Sequence, residues 1–109
     1  VFDIACSHRV IGGGWGSWSH GYTGDVYYTN GAASLTMSLP ANTAFYFYAE
    51  PNPFALIEFE ITDGTDTVVE SINGSSGAKG YGFCDAKRVG VRTTDGVTDF
   101  AVGEFGIAN

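Results

Sequence analysis

The sequence predicts an all-β domain, a two-sheet antiparallel β-sandwich of jelly-roll type with eight or nine strands. Its 16 glycines, 15% aromatic residues and only 16% charged residues disfavour a helical bundle, because glycine destabilises helix interiors and aromatic residues suit pleated surfaces. Short segments alternate between apolar and polar residues, and turn dipeptides separate them. The length of 109 residues fits one domain, residues 1–109, with a single core.

The clearest alternation lies in residues 43–63. Two runs of period two flank residues 51–53, and each run has one apolar face. These faces consist of Phe45, Phe47 and Ala49 in the first run and of Ala55, Ile57, Phe59 and Ile61 in the second. Because an apolar face of this size must be covered by a second layer, we expect these runs to be strands of a sandwich.

Further strands are predicted on both sides of this central pair. They are residues 1–4, 25–29, 33–39, 67–72, 79–84, 88–93 and 99–107. The strand at 88–93 places Arg88, Gly90 and Arg92 on one face, opposite to its apolar residues. Residues 7–24 contain six glycines, and their apolar residues follow neither the period of a helix nor that of a strand. We therefore interpret them as a long loop. Long loops in compact domains are often functional.

The net charge of −7 argues against two classes of partner. Nucleic acids and anionic membrane surfaces both repel an acidic protein. No apolar run approaches the ~20 residues that span a bilayer, so membrane insertion is not expected. The chain lacks an initiating Met and a hydrophobic leader, and we interpret it as a processed piece of a longer product.

The aromatic residues in and near the predicted loop are the candidate ligand-binding site. The set consists of Trp15, Trp18, His20, Tyr22, Tyr46 and Tyr48. These side chains could form a stacking platform for sugar rings, with His20 and nearby Asp or Asn residues supplying directional hydrogen bonds. Alternatively, they close the ends and the outer face of a small sandwich. The sequence leaves both interpretations open.

Glu104 is unusual because the alternation of its strand places it in line with Phe100 and Val102. A buried unpaired carboxylate is costly, so Glu104 needs solvent, backbone N–H groups or a cation. The candidate cations are an arginine, from Arg9, Arg88 and Arg92, or a structural Ca²⁺ ion. Calcium would require further oxygen ligands, for which Asp3 and Asp25 are candidates.

Cys6 and Cys84 are the only cysteines, and they form either one disulfide or two free thiols. Neither histidine has the spacing of a zinc site, and no nucleophile motif is present. Glu58 and Glu60 lie two residues apart on a polar strand face, where carboxylates are usually solvated. We therefore expect no enzymatic activity.

Several stretches of the chain resemble a known type of module. They are GWGSWSHGYTGDVYYTNG, FYFYAEPNPF, SSGAKGYGF and DFAVGEFGIA. In these stretches the chain is similar to a jelly-roll β-sandwich module of secreted or surface-anchored bacterial proteins, including proteins with PEP-CTERM-type sorting tails. Glu104 matches the second acidic position of the final strand in related modules, whereas Gly103 departs from the first.

The resemblance implies an exported, non-catalytic domain located outside the cell or at its surface. Our first hypothesis is a binding or adhesion module whose partner is a glycan. The alternative is a structural or assembly module that contacts a cell-surface protein and binds no small molecule. A hydrolase is the third hypothesis, and it would need convergent carboxylates or a bound metal.

Overall fold

The computed structural model describes residues 2–19, 21–39, 44–75, 77–85 and 87–108. Ten strands lie in these ranges. They are β1 Ser7–Ile11, β2 Gly14–Trp15, β3 Asp25–Tyr28, β4 Ser34–Ser38, β5 Ala44–Pro51, β6 Leu56–Thr62, β7 Thr67–Asn73, β8 Lys79–Phe83, β9 Arg88–Thr93 and β10 Phe100–Ala108. None of the described residues forms a helix that could cross a bilayer.

The strands form two sheets with jelly-roll connectivity. The larger sheet has the order β2-β1-β3-β10-β5-β8, and the smaller sheet has the order β4-β9-β6-β7. Eight strands pair in a nested antiparallel set, β3 with β10, β4 with β9, β5 with β8 and β6 with β7. This pairing is that of one long hairpin rolled over two sheets, which is how a jelly roll is wound. The predicted all-β sandwich is confirmed.

The facing sides of the two sheets form the main core. Its buried members are Leu35, Met37, Phe45, Phe47, Ala49, Phe59, Ile61, Ile72, Tyr81, Phe83, Val89, Val91, Phe100 and Val102. They include Phe45, Phe47, Ala49, Phe59 and Ile61 of the residues predicted to face inward, and Phe47 and Phe59 are completely buried. Of the other two predicted residues, Ile57 is partly buried against this core, and Ala55 is exposed and precedes β6. Burial of each large side chain contributes roughly 1.5–3 kcal/mol, so this layer supplies much of the stability.

The expected strand at the N-terminus is wrong for the described residues 2–4. Phe2 forms one isolated antiparallel bridge with Met37. Asp3 then makes two hydrogen bonds to Thr36: its backbone N–H donates to the Thr36 carbonyl at 3.0 Å, and its Oδ1 accepts from the Thr36 N–H at 2.8 Å. Because a side chain takes the place of a backbone acceptor, the ladder does not continue.

The interpretation of residues 7–24 as one loop without strands is also wrong. β1 pairs antiparallel with β3, and β2 adds a two-residue parallel pairing to β1. The half-buried positions of β1 are Ser7, Arg9 and Ile11, so its alternation is not one of apolar and polar residues. With these two strands the described count is ten, above the predicted eight or nine.

A bulge in β10 reverses the predicted orientation of Glu104. The pairing of β10 with β5 shifts register within residues 103–106, and Glu104 has a φ of 54°. An extra residue in a strand restarts the alternation of its side chains. Phe105 therefore packs toward the core, with its ring 6.0 Å from that of Phe45. The expectation that Glu104 faces the core is wrong.

Both cysteines are free thiols, so the disulfide alternative is not found. Cys6 precedes β1 and Cys84 follows β8, and four strand-to-strand steps separate these strands in the larger sheet. At about 4.8 Å per step the lateral separation is about 19 Å. A disulfide requires Cα atoms closer than about 7 Å. The topology therefore holds the two thiols apart.

Gly74, which follows β7, occupies a position that has no room for a side chain. A Cβ atom there would lie 1.8 Å from the backbone oxygen of Pro53. We predict that Gly74→Ala lowers the free energy of unfolding by about 2–3 kcal/mol, because backbone must move to relieve the overlap. Urea unfolding followed by tryptophan fluorescence measures this change.

Gly82→Ala is the matched control, because a Cβ at Gly82 would lie 3.8 Å from its nearest neighbour, an ordinary contact. We expect this variant to differ from the wild type by less than about 0.5 kcal/mol. Equal effects of the two substitutions would contradict the described packing of the turn at Gly74.

Candidate functional site

The outer face of the larger sheet has an apolar region, which is covered by Trp15 of β2 and Trp18 of the segment that follows. Val26 of β3 and Ala101 of β10 point to this side and are completely buried. Trp15 and Trp18 pack on them with only 7% and 3% of their surfaces exposed. We name Trp15, Trp18, Val26, Ala78 and Ala101 the tryptophan cluster.

This burial decides between the two interpretations of the indoles. A ring stacks on a sugar only if one of its faces is accessible, and neither indole has an accessible face of useful size. The prediction of a sugar-stacking platform on Trp15 and Trp18 is therefore wrong. Both side chains close the outer face of the sandwich, which was the alternative interpretation.

Glu50, near the end of β5, is a buried carboxyl group next to the tryptophan cluster. Its Oε1 accepts hydrogen bonds from Trp15 Nε1 at 2.9 Å and from Ser17 Oγ at 3.3 Å. Its Oε2 makes no direct hydrogen bond in the described part of the chain. Burial raises the pKa of Glu50, although the two side-chain hydrogen bonds and the nearby N–H groups of Gly77 and Ala78 oppose the rise.

The indole of Trp18 also donates to a carboxylate. Its Nε1 lies 3.2 Å from Oε1 of Glu104, which the bulge of β10 turns to this outer face. Beside it, the hydroxyl of Tyr22 donates to the backbone oxygen of Asp25 at 2.9 Å, and the Tyr22 ring lies 6.2 Å from the Trp18 ring. Trp18 and Tyr22 are brought together as predicted, but as parts of a covering layer.

The other predicted aromatic residues do not complete a platform. Tyr48 is half-buried against the tryptophan cluster. Tyr46 is 50% exposed and lies near the far end of β5, where it pairs with Gly82 and Gly106. His20 lies outside the described residues. The five described members of the predicted set therefore do not form one exposed surface.

The three candidate calcium ligands are not assembled into one site. Asp25 pairs with His8 at 2.7 Å, and Asp3 is bound to the backbone of Thr36 in the smaller sheet. Burial, together with the charges of Asp25 and Glu104, raises the pKa of Tyr22, so each of these two carboxylates lies near Tyr22. Across the described ranges, no group of three or more His, Cys, Asp or Glu side chains could hold a metal ion. Calcium binding stays a prediction.

The outer face of the smaller sheet is polar and carries an open groove. Gly90 of β9 lies between Thr36 of β4 and Thr62 of β6 in the strand register, so the floor of the groove has no side chain at its centre. We name this cavity of ≈ 400 Å³ the β9 groove, lined by Thr36, Thr62, Asp63, Gly64, Lys87, Arg88 and Gly90. A smaller cavity of ≈ 140 Å³ continues it past Ser34, Glu60 and Arg92.

The charged groups of the β9 groove fall into two kinds. Arg92 binds Glu60 through two hydrogen bonds of 3.1 and 3.0 Å, which lower the pKa of Glu60. Asp63 accepts two backbone N–H groups of its own turn, and these lower its pKa. Lys87 and Arg88 are exposed and make no ion pair within the described part of the chain. Arg92 is exposed as well, so Lys87 and Arg88 differ from it in having no carboxylate bound to them in the described residues.

An apolar cavity of ≈ 340 Å³ lies at one end of the sandwich. Its lining includes Phe2, Met37, Leu39, Phe45, Phe105 and Ile107. A neighbouring cavity of ≈ 390 Å³ shares Phe45 and Ile107 with it. Leu39 and Ala44 on the rims flank residues 40–43, which lie outside the described residues. The described residues therefore do not define what covers this end, and we place no site there.

Sequence reasoning missed the β9 groove, although it placed Arg88, Gly90 and Arg92 on one strand face. The groove depends on β4 and β6 being the neighbours of β9, and the register of strands that are distant in sequence is not visible in an alternation pattern. The signal that was present is Gly90, a strand glycine between two outward arginines.

No protein-family model and no curated protein matches this sequence. Among solved structures, the fold is similar to the carbohydrate-binding module TmCBM61 in complex with β-1,4-galactotriose, with 12% identity, a TM-score of 0.45, and coverage of 99% of this chain and 88% of that chain. It is also similar to BtGH115A, a family GH115 4-O-methyl-α-glucuronidase with specificity for decorated arabinogalactans. Here the identity is 10% and the TM-score 0.42, with coverage of 95% of this chain and 17% of that chain. Structural similarity with such low identities and TM-scores does not identify a ligand.

The raised pKa of Glu50 predicts a pH-dependent stability. A carboxyl group whose pKa is higher in the folded state than its ordinary value of 4.5 binds a proton more tightly when folded. Its stabilising contribution is complete below that ordinary value and is lost as the pH rises through the raised pKa. Glu50→Gln keeps an acceptor for Trp15 and does not ionise. We therefore predict that the free energy of unfolding of the variant rises relative to that of the wild type from about pH 4 to about pH 8.

Urea unfolding at each pH measures the difference between the two proteins, which cancels the titration of other carboxylates. Glu58→Gln serves as the control, since Glu58 is an exposed glutamate of the smaller sheet. A constant difference between wild type and Glu50→Gln over this pH range would show that the Glu50 carboxyl does not titrate in the way its burial requires.

Proposed function

We propose that this chain is a non-catalytic, extracellular carbohydrate-binding domain and that its ligand lies in the β9 groove. The observation that carries the proposal is the lining of this groove by hydroxyl, carboxylate and cationic groups around the glycine floor at Gly90. Sugar hydroxyls both donate and accept hydrogen bonds, and they therefore need partners of both kinds. Thr36 offers both, Asp63 accepts, and Arg88 donates, whereas the hydroxyl of Thr62 is already held by Asp66, Gly64 and Thr67 of its own turn.

The pKa shifts and the positions of Glu60 and Glu50 support a role in binding rather than hydrolysis. Glycoside hydrolysis commonly requires a carboxyl group with a raised pKa beside the bond that is broken. In the groove, Glu60 is bound by Arg92 and its pKa is lowered. Glu50 has a raised pKa, but it is buried next to Trp15 on the other sheet. Neither group suits the role of the acid in the groove.

A structural or assembly module is the second candidate function, and one observation favours it. Tyr46 and Ile107 are 50% and 58% exposed near the apolar end of the sandwich. Both side chains line the same cavity, and a contiguous exposed apolar surface often marks a protein contact. A mass in solution that increases with protein concentration would support this candidate over a monomeric glycan-binding domain.

Filling the floor of the β9 groove tests the proposed function. A Cβ at Gly90 would meet its nearest neighbour at 3.8 Å, which is an ordinary contact, and a larger side chain would extend from there into the open groove. We predict that Gly90→Ile keeps the fold and weakens binding to a retained polysaccharide by at least about tenfold, because the isoleucine occupies the space of a sugar ring. Affinity electrophoresis through galactan, xylan and polygalacturonate measures the retention.

Gly82→Ile is the matched control. It places the same side chain at a strand glycine of the larger sheet, where the nearest contact of a Cβ is also 3.8 Å. We expect its retention to equal that of the wild type. Retention that survives Gly90→Ile unchanged would contradict the placement of the ligand in the β9 groove.

A further inference from the structure

We infer that the ligand of the β9 groove is an acidic saccharide, a polysaccharide whose sugar units carry carboxylate groups. This inference rests on the proposed function and adds the chemical class of its ligand. The distribution of cations, the groups that neutralise some of them and the lack of peptide-binding features in the described lining of the groove support it.

The cations of this acidic protein are concentrated at one place. The chain has five Lys and Arg residues and a net charge of −7. Three of the five, Lys87, Arg88 and Arg92, line the β9 groove or the cavity that continues it. The overall charge repels anions at a distance, so an anionic ligand needs such a local positive region to bind.

Neighbouring carboxylates neutralise only part of this positive charge. Glu60 neutralises Arg92, and Asp63 is the remaining carboxylate in the lining of the groove. Lys87 and Arg88 together exceed the charge of Asp63, and no ion pair in the described residues holds them. A guanidinium can bind a carboxylate through two parallel hydrogen bonds, so Arg88 is the group best suited to a uronate.

Two features favour a saccharide over an acidic peptide. The described lining of the ≈ 400 Å³ groove contains no large apolar side chain that could form a pocket for a peptide side chain. β9 is also an interior strand, paired with β4 on one side and β6 on the other. A peptide therefore cannot bind here by adding a strand to a free sheet edge. The hydroxyl of Thr36 and the cations remain, which are suitable partners for a charged sugar.

The test compares polygalacturonate with its fully methyl-esterified form, which has the same backbone and linkages without the charge. We expect the wild type to bind polygalacturonate about tenfold more tightly, with an advantage that shrinks as salt increases. Arg88→Gln and Lys87→Gln should each weaken binding of polygalacturonate about threefold to fivefold, and weaken binding of the ester by a smaller factor. Lys79→Gln is the control, since Lys79 lies on β8 of the larger sheet.

Each other outcome has a distinct meaning. Equal binding of both polymers that is lost in Gly90→Ile would overturn the acidic class and leave the proposed function intact. An absence of binding to every polysaccharide tested would overturn the proposed function and this inference with it. Binding of poly-glutamate as tight as that of polygalacturonate, and lost in Arg88→Gln, would overturn the saccharide in favour of an acidic peptide.

Discussion

The structure depends on the need to cover a second apolar surface besides the main core. The outer face of the larger sheet exposes Val26 and Ala101 unless another layer packs on it. Trp15 of β2 and Trp18 of the segment that follows supply that layer, and the buried indole N–H groups then need acceptors. Glu50 and Glu104 provide them at 2.9 and 3.2 Å. The need of the buried indole N–H groups for acceptors thus explains the positions of both Glu50 and Glu104.

This requirement divides the molecule into a sealed face and an open face. The sealed face lies on the larger sheet, where the tryptophan cluster excludes a ligand. The open face lies on the smaller sheet, where Gly90 leaves space between two threonines and three cations lie nearby. The floor of the groove, at Thr36, Gly90 and Thr62, is held in place by the pairing of β9 with β4 and β6.

Much of the fold could be predicted from the sequence, because alternation reports directly on which face of a strand is buried. The inward positions of β5 and β6, such as Phe47 and Phe59, are correct for this reason. The pattern failed where another constraint replaced it. In β1 the half-buried positions include Ser7 and Arg9, and in β10 the bulge at Glu104 restarts the alternation. The site was beyond prediction, since composition alone does not show whether an indole is covered, and alternation does not show which strands are neighbours.

The division between a sealed and an open face can be tested directly by NMR with a ¹⁵N-labelled protein and a galacturonate oligomer. The backbone amides of Gly90 and Thr62 report on the β9 groove, and the indole N–H groups of Trp15 and Trp18 report on the sealed face. On titration we predict shifts of the Gly90 and Thr62 signals and unchanged indole signals. Shifts of the indole signals with an unchanged groove would contradict the assignment of the ligand to the smaller sheet.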